Sequence, residues 1–151
     1  MKLTLLGTGC PSIDYKRCGS ANLICTKKTK ILIDCGSGVT QRLNQSGHSS
    51  AEIDALLLTH LHTDHVIDLY QLIISSWHSD RDAIWKIYGP KGTKKFVDQI
   101  FLAWKNERNL RISYEKRKSI KALKYKVYEF NKTGSINIKD IKFKYFEVDH
   151  K

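Results

Sequence analysis

The sequence has no long apolar segment. Across its 151 residues, no apolar run approaches the ~20 residues that a helix needs to span a bilayer. The chain begins MKLTLLGTG, which lacks the apolar core and cleavage site of a signal peptide and is typical of a first β-strand. These absences predict a cytoplasmic protein with no membrane partner.

Cysteine pairs with metal-binding spacing are also missing. The four cysteines, at positions 10, 18, 25 and 35, form no C-x-x-C pair and have no counterparts later in the chain. A zinc finger is therefore a weak hypothesis, and reduced thiols fit a cytoplasmic location. The sequence contains no internal repeat, low-complexity segment or linker. Together with the length, this predicts one domain over residues 1–151.

Acidic residues are scarce in the second part of the chain. Residues 1–85 contain eight Lys/Arg and eight Asp/Glu, whereas residues 86–151 contain 18 and 7, so the second part carries the whole net charge of +11. It includes the consecutive Lys116, Arg117 and Lys118, in a stretch where basic and aromatic residues alternate. Such a stretch can bind RNA through its phosphates, with bases stacking on tyrosines. Strands with a solvated lysine face are the commoner alternative.

The most informative segment is Ile53–His65, which reads IDALLLTHLHTDH. Its apolar first half has the length of a buried strand, and His60, His62, Asp64 and His65 follow at once. Ligands placed directly after a strand lie at the carboxyl edge of a sheet, where open α/β folds bind their ligands.

The spacing of this cluster favours metal binding over packing. Side chains two residues apart in an extended segment point the same way, so His60 and His62 can share one ion. Asp64 and His65 then point elsewhere, which suits a second ion. A lone histidine near a strand end is usually a surface or satisfied core residue, but four such groups are costly to bury unless they are paired or metal-bound.

The motif THLHTDH resembles the signature of the metallo-β-lactamase superfamily. Three flanking motifs narrow the resemblance to ribonuclease Z, although arylsulfatase-like and cyclic-nucleotide phosphodiesterase members share them: Leu6–Gly9 with Pro11, Leu32–Gly36 and Ile87–Gly92. The resemblance runs from Met1 to His150. It implies an α/β (α+β) fold, the αββα sandwich of that superfamily, and two zinc ions.

The resemblance also implies a role for each site residue. One zinc ion would be bound by His60, His62 and His150, and the other by Asp64 and His65. Asp64 would in addition accept the proton of the attacking water. Asp34 would support the histidine loop by hydrogen bonding without binding metal. The family's bridging Asp, its final His and its tRNA-binding arm have no counterpart in these 151 residues.

We therefore expect only the amino-terminal portion of the sandwich, as a single incomplete domain. The 151-residue chain alone is expected to bind at most about one zinc ion and to cleave precursor tRNA negligibly. Its last strand would be an exposed edge that invites association, so a homodimer is also considered.

Three functions remain open at this stage. The leading hypothesis is a zinc-dependent endoribonuclease that processes the 3′ ends of tRNA precursors with metal-activated hydroxide. The second keeps the metal chemistry but acts on small phosphodiesters, sulfate esters or lactones. The third is a non-catalytic amino-terminal fragment that binds metal or RNA.

The apolar pattern also predicts the elements around the motif. Helices are expected near residues 66–77 and 93–105, packed on the outer face of one sheet built from the amino-terminal strands. A short helix is expected at 39–44, and a hairpin is expected around Lys139 and Asp140.

If the basic segment binds RNA, replacing Lys116, Arg117 and Lys118 together with alanine should weaken tRNA binding. The salt dependence should also flatten, by about 0.7 in log–log slope for each lost contact on single-stranded RNA. Filter binding across a salt series measures both quantities. Binding that the triple variant leaves unchanged would identify these residues as ordinary surface.

Overall fold

The computed structural model describes residues 1–150, and it contains eight strands and five α-helices. The strands are β1 (Lys2–Gly7), β2 (Ala21–Cys25), β3 (Lys30–Ile33), β4 (Ala55–Leu57), β5 (Trp85–Pro90), β6 (Tyr125–Phe130), β7 (Thr133–Ile138) and β8 (Ile141–Phe146). The helices are α1 (Val39–Gln45), α2 (Thr63–Val66), α3 (Leu69–His78), α4 (Thr93–Ala103) and α5 (Lys105–Glu115). Short 3₁₀ turns occur at Ser50–Glu52 and Lys121–Leu123.

Six strands form one mixed sheet in the order β1-β2-β3-β4-β5-β6. Strand β2 runs antiparallel to both β1 and β3, and β3, β4, β5 and β6 run parallel. The carboxyl ends of the four parallel strands therefore meet at one edge of the sheet. The loop between β1 and β2 reaches the same edge because β2 runs against β3.

The helices cover one face of this sheet and bury the main core. Leu23, Leu32 and Trp85 on the strands, together with Trp77 on α3, are almost fully inaccessible to solvent. Burial of apolar side chains of this size contributes about 1.5–3 kcal/mol each. This layer holds the strands, and with them the loops at their carboxyl ends, in a fixed arrangement.

The hairpin β7–β8 packs on the opposite face as a separate two-stranded sheet. Its residues Ile138 and Ile141 form a second buried cluster with Ile31 and Ala55 of the larger sheet. Beside the hairpin turn, Asp140 accepts a hydrogen bond from Thr29. The chain then leaves β8 at Phe146 and returns towards the edge where the parallel strands end.

The fold class and most elements agree with the sequence analysis, with three differences. The strand expected over 53–58 spans only Ala55–Leu57, the residues that are in register with both β3 and β5 or with one of them. The single helix expected near 66–77 is two, α2 and α3, because Asp68 donates its backbone N–H to Cys35 between them.

The third difference lies in the basic segment, where strands with a solvated face were the commoner alternative. Residues 105–115 form α5 instead. Ion pairs at helical spacing join Arg111 to Glu107 and to Glu115. None of its residues is fully buried, so the helical period carries little hydrophobic signal in the sequence.

Within residues 1–150, no helix has both the length and the apolar composition needed to cross a bilayer.

A buried arginine ties the parallel strands to the loop after α3. The Arg81 side chain donates to the backbone carbonyls of Ala51, Ile53, Ala83 and Ile84, at 2.5–3.2 Å. Its guanidinium also lies 4.3 Å from the ring centroid of Trp85. Burial lowers its pKa to about 10. The residue is only 5% exposed, although nothing in the sequence pattern marks it as structural.

Replacing Arg81 with methionine should lower the free energy of unfolding by about 3 kcal/mol, because four backbone carbonyls in buried or partly buried hydrogen bonds lose their donors together. The matched variant Arg111→Met removes an arginine whose ion pairs are partly exposed, and it should cost no more than about 1 kcal/mol. Urea denaturation followed by circular dichroism compares the two. Equal losses would mean that the Arg81 network does not stabilise the fold.

Candidate metal centre

The histidine motif follows β4, an inner strand of the sheet, at the edge where the parallel strands end. Strand β4 ends at Leu57, and Leu58 still donates its N–H to the carbonyl of Tyr88 on β5. The next residues leave the sheet, and α2 begins directly after His62. The four-residue α2 then turns the chain, which separates Asp64 and His65 from the first two histidines.

Three histidines from two distant segments converge at this edge. The ligand nitrogens of His60, His62 and His150 all lie within 4.8 Å of one another. The His60 ring centroid is 4.6 Å from that of His62 and 4.8 Å from that of His150, and the His62 and His150 rings are 4.9 Å apart. The residues given to the first ion by family resemblance are therefore neighbours in space.

Asp64 and His65 form an adjacent pair. The Asp64 Oδ2 lies 3.5 Å from the His65 Nε2, and the His65 ring centroid is 4.1 Å from that of His60. The backbone of this pair is also fixed, since Ser20 donates its N–H to the Asp64 carbonyl and Cys35 to that of His65. The residues expected to bind the first ion are therefore adjacent to the pair expected to bind the second, and His60 lies nearest to that pair.

Gly36 packs closely against the backbone of the loop that carries Asp64 and His65. A Cβ atom at position 36 would lie 2.1 Å from the carbonyl oxygen of Asp64. Any side chain there would push the loop away, so only glycine permits the approach. This contact with the loop that carries Asp64 explains why the Leu32–Gly36 motif ends in glycine.

Asp34 joins the two halves of the site. Its carboxylate accepts hydrogen bonds from the Thr59 N–H at 2.8 Å, from the Thr59 hydroxyl at 2.8 Å and from the His65 Nδ1 at 2.8 Å. The residue is 2% exposed and has a positive φ of 61°, a conformation that aspartate tolerates better than most residues. This placement matches the supporting role that family resemblance implies.

These hydrogen bonds determine which ring nitrogens are free. The Thr59 hydroxyl gives its single proton to Asp34, so at 3.0 Å it accepts from the His60 Nδ1–H. The His60 Nε2 then carries a lone pair. By the same argument the His65 Nδ1–H donates to Asp34, and the lone pair of its Nε2 faces the Asp64 carboxylate.

The free lone pairs fit a bound cation. The His60 Nε2 is buried and has no hydrogen-bond partner among residues 1–150. Burial, followed by the charges of His65 and His62, lowers the pKa of His60, which favours the neutral imidazole that binds metal. Two acceptors 3.5 Å apart, as in the Asp64–His65 pair, also repel each other unless a cation or proton lies between them. Imidazole nitrogens with a carboxylate are the ligands that zinc takes in hydrolytic sites.

Other metal-capable side chains are occupied elsewhere. His78 lies at the far end of α3, where its ring nitrogens contact the Ile74 carbonyl and the Glu115 carboxylate. Cys35 is buried beneath the histidine loop, and burial, then Asp68 and Asp34, raises the pKa of its thiol well above the usual value. Its thiol is therefore protonated and unsuited to bind metal. Asp68 accepts from the Thr40 N–H at 2.7 Å, which gives it a structural role.

The basic residues singled out in the sequence lie away from this edge. Arg117 donates to Glu115 at 2.9 Å and to the His78 carbonyl at 3.1 Å, and it lies over the Trp77 ring. Arg117, together with His78 and Arg111, lowers the pKa of Glu115 to about 2. These contacts are at the carboxyl end of α3, about 15 Å along the helix from its start, which lies beside the histidine motif. Arg117 is thus engaged in the fold, between the more exposed Lys116 and Lys118.

A second carboxylate was not identified from the sequence. The motif Gly89–Gly92 leads into the amino end of α4, which is a favourable place for an anion. Glu129 of β6 fills that position, since its side chain accepts from the N–H groups of Gly92 at 2.9 Å and Lys94 at 2.8 Å.

Comparison with known proteins places this geometry in a family. A family model described as anti-Pycsar protein Apyc1 matches residues 1–151. Ribonuclease Z of Mycobacterium marinum (strain ATCC BAA-535 / M) is 38% identical over 117 residues, covering 76% of this chain and 42% of that protein. The chain therefore spans less than half the length of such curated relatives.

Solved structures share the fold over a similar portion. Human tRNase Z, short form, has a TM-score of 0.63 with 28% identity, over 85% of this chain and 44% of that one. The metallo-β-lactamase fold protein YhfI from Bacillus subtilis has a TM-score of 0.64 with 19% identity, over 90% of this chain and 47% of that one. The predicted resemblance to the metallo-β-lactamase superfamily and ribonuclease Z is confirmed.

Replacing Asp34 with asparagine should weaken zinc binding by about 10- to 100-fold, because the carboxylate orients both histidine-bearing segments. Asparagine also tolerates positive φ, so the backbone conformation is kept. Asp80→Asn is the matched control, since Asp80 also has a positive φ, 58°, but its side chain is 81% exposed. Competition with a chromogenic chelator measures both affinities. Equal zinc affinity for wild type and Asp34→Asn would contradict the supporting role.

Proposed function

Because this chain belongs to the family of anti-Pycsar protein Apyc1 and has the metallo-β-lactamase fold of ribonuclease Z, we propose that it carries the metal-binding part of a phosphodiesterase active site. The observation that carries this proposal is the convergence of His60, His62 and His150 around the buried, unpartnered His60 Nε2.

Each residue has a role in this proposal. His60, His62 and His150 would hold one zinc ion and leave a fourth position for water or substrate, as in other catalytic zinc sites. Asp64 and His65 would hold a second ion more weakly, since they are only two ligands. Bound metal would supply a water of lowered pKa and polarise the phosphodiester. Asp64 would also accept a proton, and Asp34 would hold His65 and the histidine loop in place.

Small phosphodiesters are the substrates that we favour. The family model that matches the whole chain describes a phosphodiesterase family. Moreover, Arg117 is bound to Glu115 and the His78 carbonyl at the far end of α3, which argues against a continuous RNA track from Lys116–Lys118 to the histidines.

Processing of tRNA precursors is the second candidate. It is favoured by the 38% identity to a ribonuclease Z and by the similarity to human tRNase Z. The positive charge of residues 86–151 is also compatible with an RNA substrate.

The proposal predicts that the chain takes up about one zinc ion tightly and a second weakly. Hydrolysis of bis(p-nitrophenyl) phosphate should be negligible with one equivalent of zinc and should rise as excess zinc fills the second position. His62→Ala should lose the tight ion, whereas Asp64→Asn should keep it and lose at least about 100-fold in turnover. His48→Ala is the control, because its side chain lies against Glu52 outside the site.

Metal analysis after dialysis and a zinc-titrated hydrolysis assay test these statements. The proposed function would be contradicted if His62→Ala and Asp64→Asn kept the turnover of the wild type. It would also be contradicted if the turnover of the wild type never exceeded that of these two variants at any zinc concentration.

The two substrate hypotheses differ in what the basic segment does. Lys116→Gln with Lys118→Gln, which spares the structural Arg117, should leave hydrolysis of a small phosphodiester unchanged. If precursor tRNA is the substrate, the same pair should weaken tRNA binding several-fold at low salt. Parallel gel-shift and hydrolysis measurements separate the hypotheses. We expect tRNA cleavage by the 151-residue chain to be negligible, and robust specific cleavage would favour the second.

A further inference from the structure

A basic cavity lies between β1 and α1, apart from the histidine cluster. It has a volume of about 370 Å³, and its walls include Thr4, Lys16, Arg17, Cys18 and Arg42. The volume falls at the lower end of the range for small-molecule sites. This part of the molecule therefore has room for a ligand of the size of a pyrophosphate or a nucleotide.

The positive charge of this cavity is poorly compensated. No carboxylate of residues 1–150 lies within 4.0 Å of Lys16 or Arg42, and Arg17 has only Asp14, at 3.9 Å between two exposed side chains. Residues 1–85 have a net charge of zero, so the general excess of lysine in the chain does not explain this cluster. Three cations around one cavity favour an anionic ligand.

Arg42 is held in place with donors to spare. Its Nε donates to the Cys18 Sγ at 3.3 Å, one Nη to Gln45 at 3.2 Å and the other Nη to the Lys16 carbonyl at 3.1 Å. A guanidinium has five N–H groups, so two remain. A fixed guanidinium with free N–H groups is preorganised to bind a phosphate oxygen.

Thr4, in the wall of the same cavity, has an unused hydroxyl. The Thr4 Oγ1 is buried and has no hydrogen-bond partner among residues 1–150. A buried hydroxyl without a partner is costly, and a ligand oxygen within reach would remove that cost. Thr4 precedes Leu5 and Leu6 on the strand β1, which forms one wall of the cavity.

We propose that this cavity binds a phosphate group, with Arg42 and Thr4 as hydrogen-bond donors and Lys16 as the second charge. The proposal does not rest on the metal chemistry, because none of these residues belongs to the histidine cluster. The cavity is nevertheless close to that cluster. Its wall residue Cys18 is two residues before Ser20, whose N–H donates to the Asp64 carbonyl at 3.1 Å.

Pyrophosphate binding to the 151-residue chain in EDTA tests the proposal without metal. Calorimetry at low salt should give saturable binding that Arg42→Gln weakens by about tenfold or more, since hydrogen bonds to charged groups are lost. Lys16→Gln changes an exposed side chain and should weaken binding several-fold without affecting folding. Lys28→Gln removes one charge at the opposite edge of the sheet and should leave binding unchanged.

Thr4→Val distinguishes a binding role from a structural one. Removing an unpartnered hydroxyl should leave the melting temperature of the free protein equal or higher, while pyrophosphate binds several-fold more weakly. The location can be read directly, since bound pyrophosphate should slow alkylation of Cys18 but not of Cys25, which lies at the other end of β2.

A decauridylate oligonucleotide tested beside pyrophosphate identifies the source of the phosphate. Tighter binding of the oligonucleotide, weakened by Arg42→Gln, would assign the cavity to a nucleic-acid backbone, and preference for pyrophosphate would assign it to a free phosphate ester. Both results support a phosphate site. No binding of either probe at low salt, or binding that Arg42→Gln, Lys16→Gln and Thr4→Val leave unchanged, would overturn the proposal.

Discussion

The candidate site depends on one buried carboxylate. Asp34 follows β3 directly and accepts hydrogen bonds from Thr59, at the start of the histidine loop, and from His65, at its end. Backbone contacts with Ser20 and Cys35 and the close packing of Gly36 also hold the later part of this loop, but Asp34 is the side chain that bonds to both of its ends. The same bonds set the tautomers of His60 and His65, so Asp34 determines which nitrogens can bind metal.

The parallel arrangement of β3, β4 and β5 makes this contact possible. It brings the residues after β3 and β4 to the same edge of the sheet, although 25 positions separate Asp34 from Thr59. The hairpin then adds His150. Its buried residues Ile138 and Ile141 fix it on the second face of the sheet, and β8 directs the following residues to the two earlier histidines.

Local features of the site could be predicted from the sequence, whereas features that depend on distant contacts could not. The alternation of His60 and His62 after an apolar run is local and indicated a metal site directly. His150 and Asp34 have no local signal, and only their match to family motifs singled them out. Arg81 and Glu129 were missed because each acquires its role from partners that the fold brings near, backbone carbonyls and a helix end. Thr4 was missed because its proposed role depends on a cavity that exists only in the folded chain. Helix α5 was missed because its ion pairs, rather than apolar residues, follow the helical period.

The central claim is that histidines from two distant segments bind one ion together. X-ray absorption spectroscopy of the chain with one equivalent of zinc tests this most directly. The account predicts a first shell of nitrogen and oxygen at ~2.0–2.1 Å with the multiple-scattering signature of three imidazoles, falling to two in His150→Ala. A sulfur shell at ~2.3 Å, or a signal unchanged by His150→Ala, would contradict it.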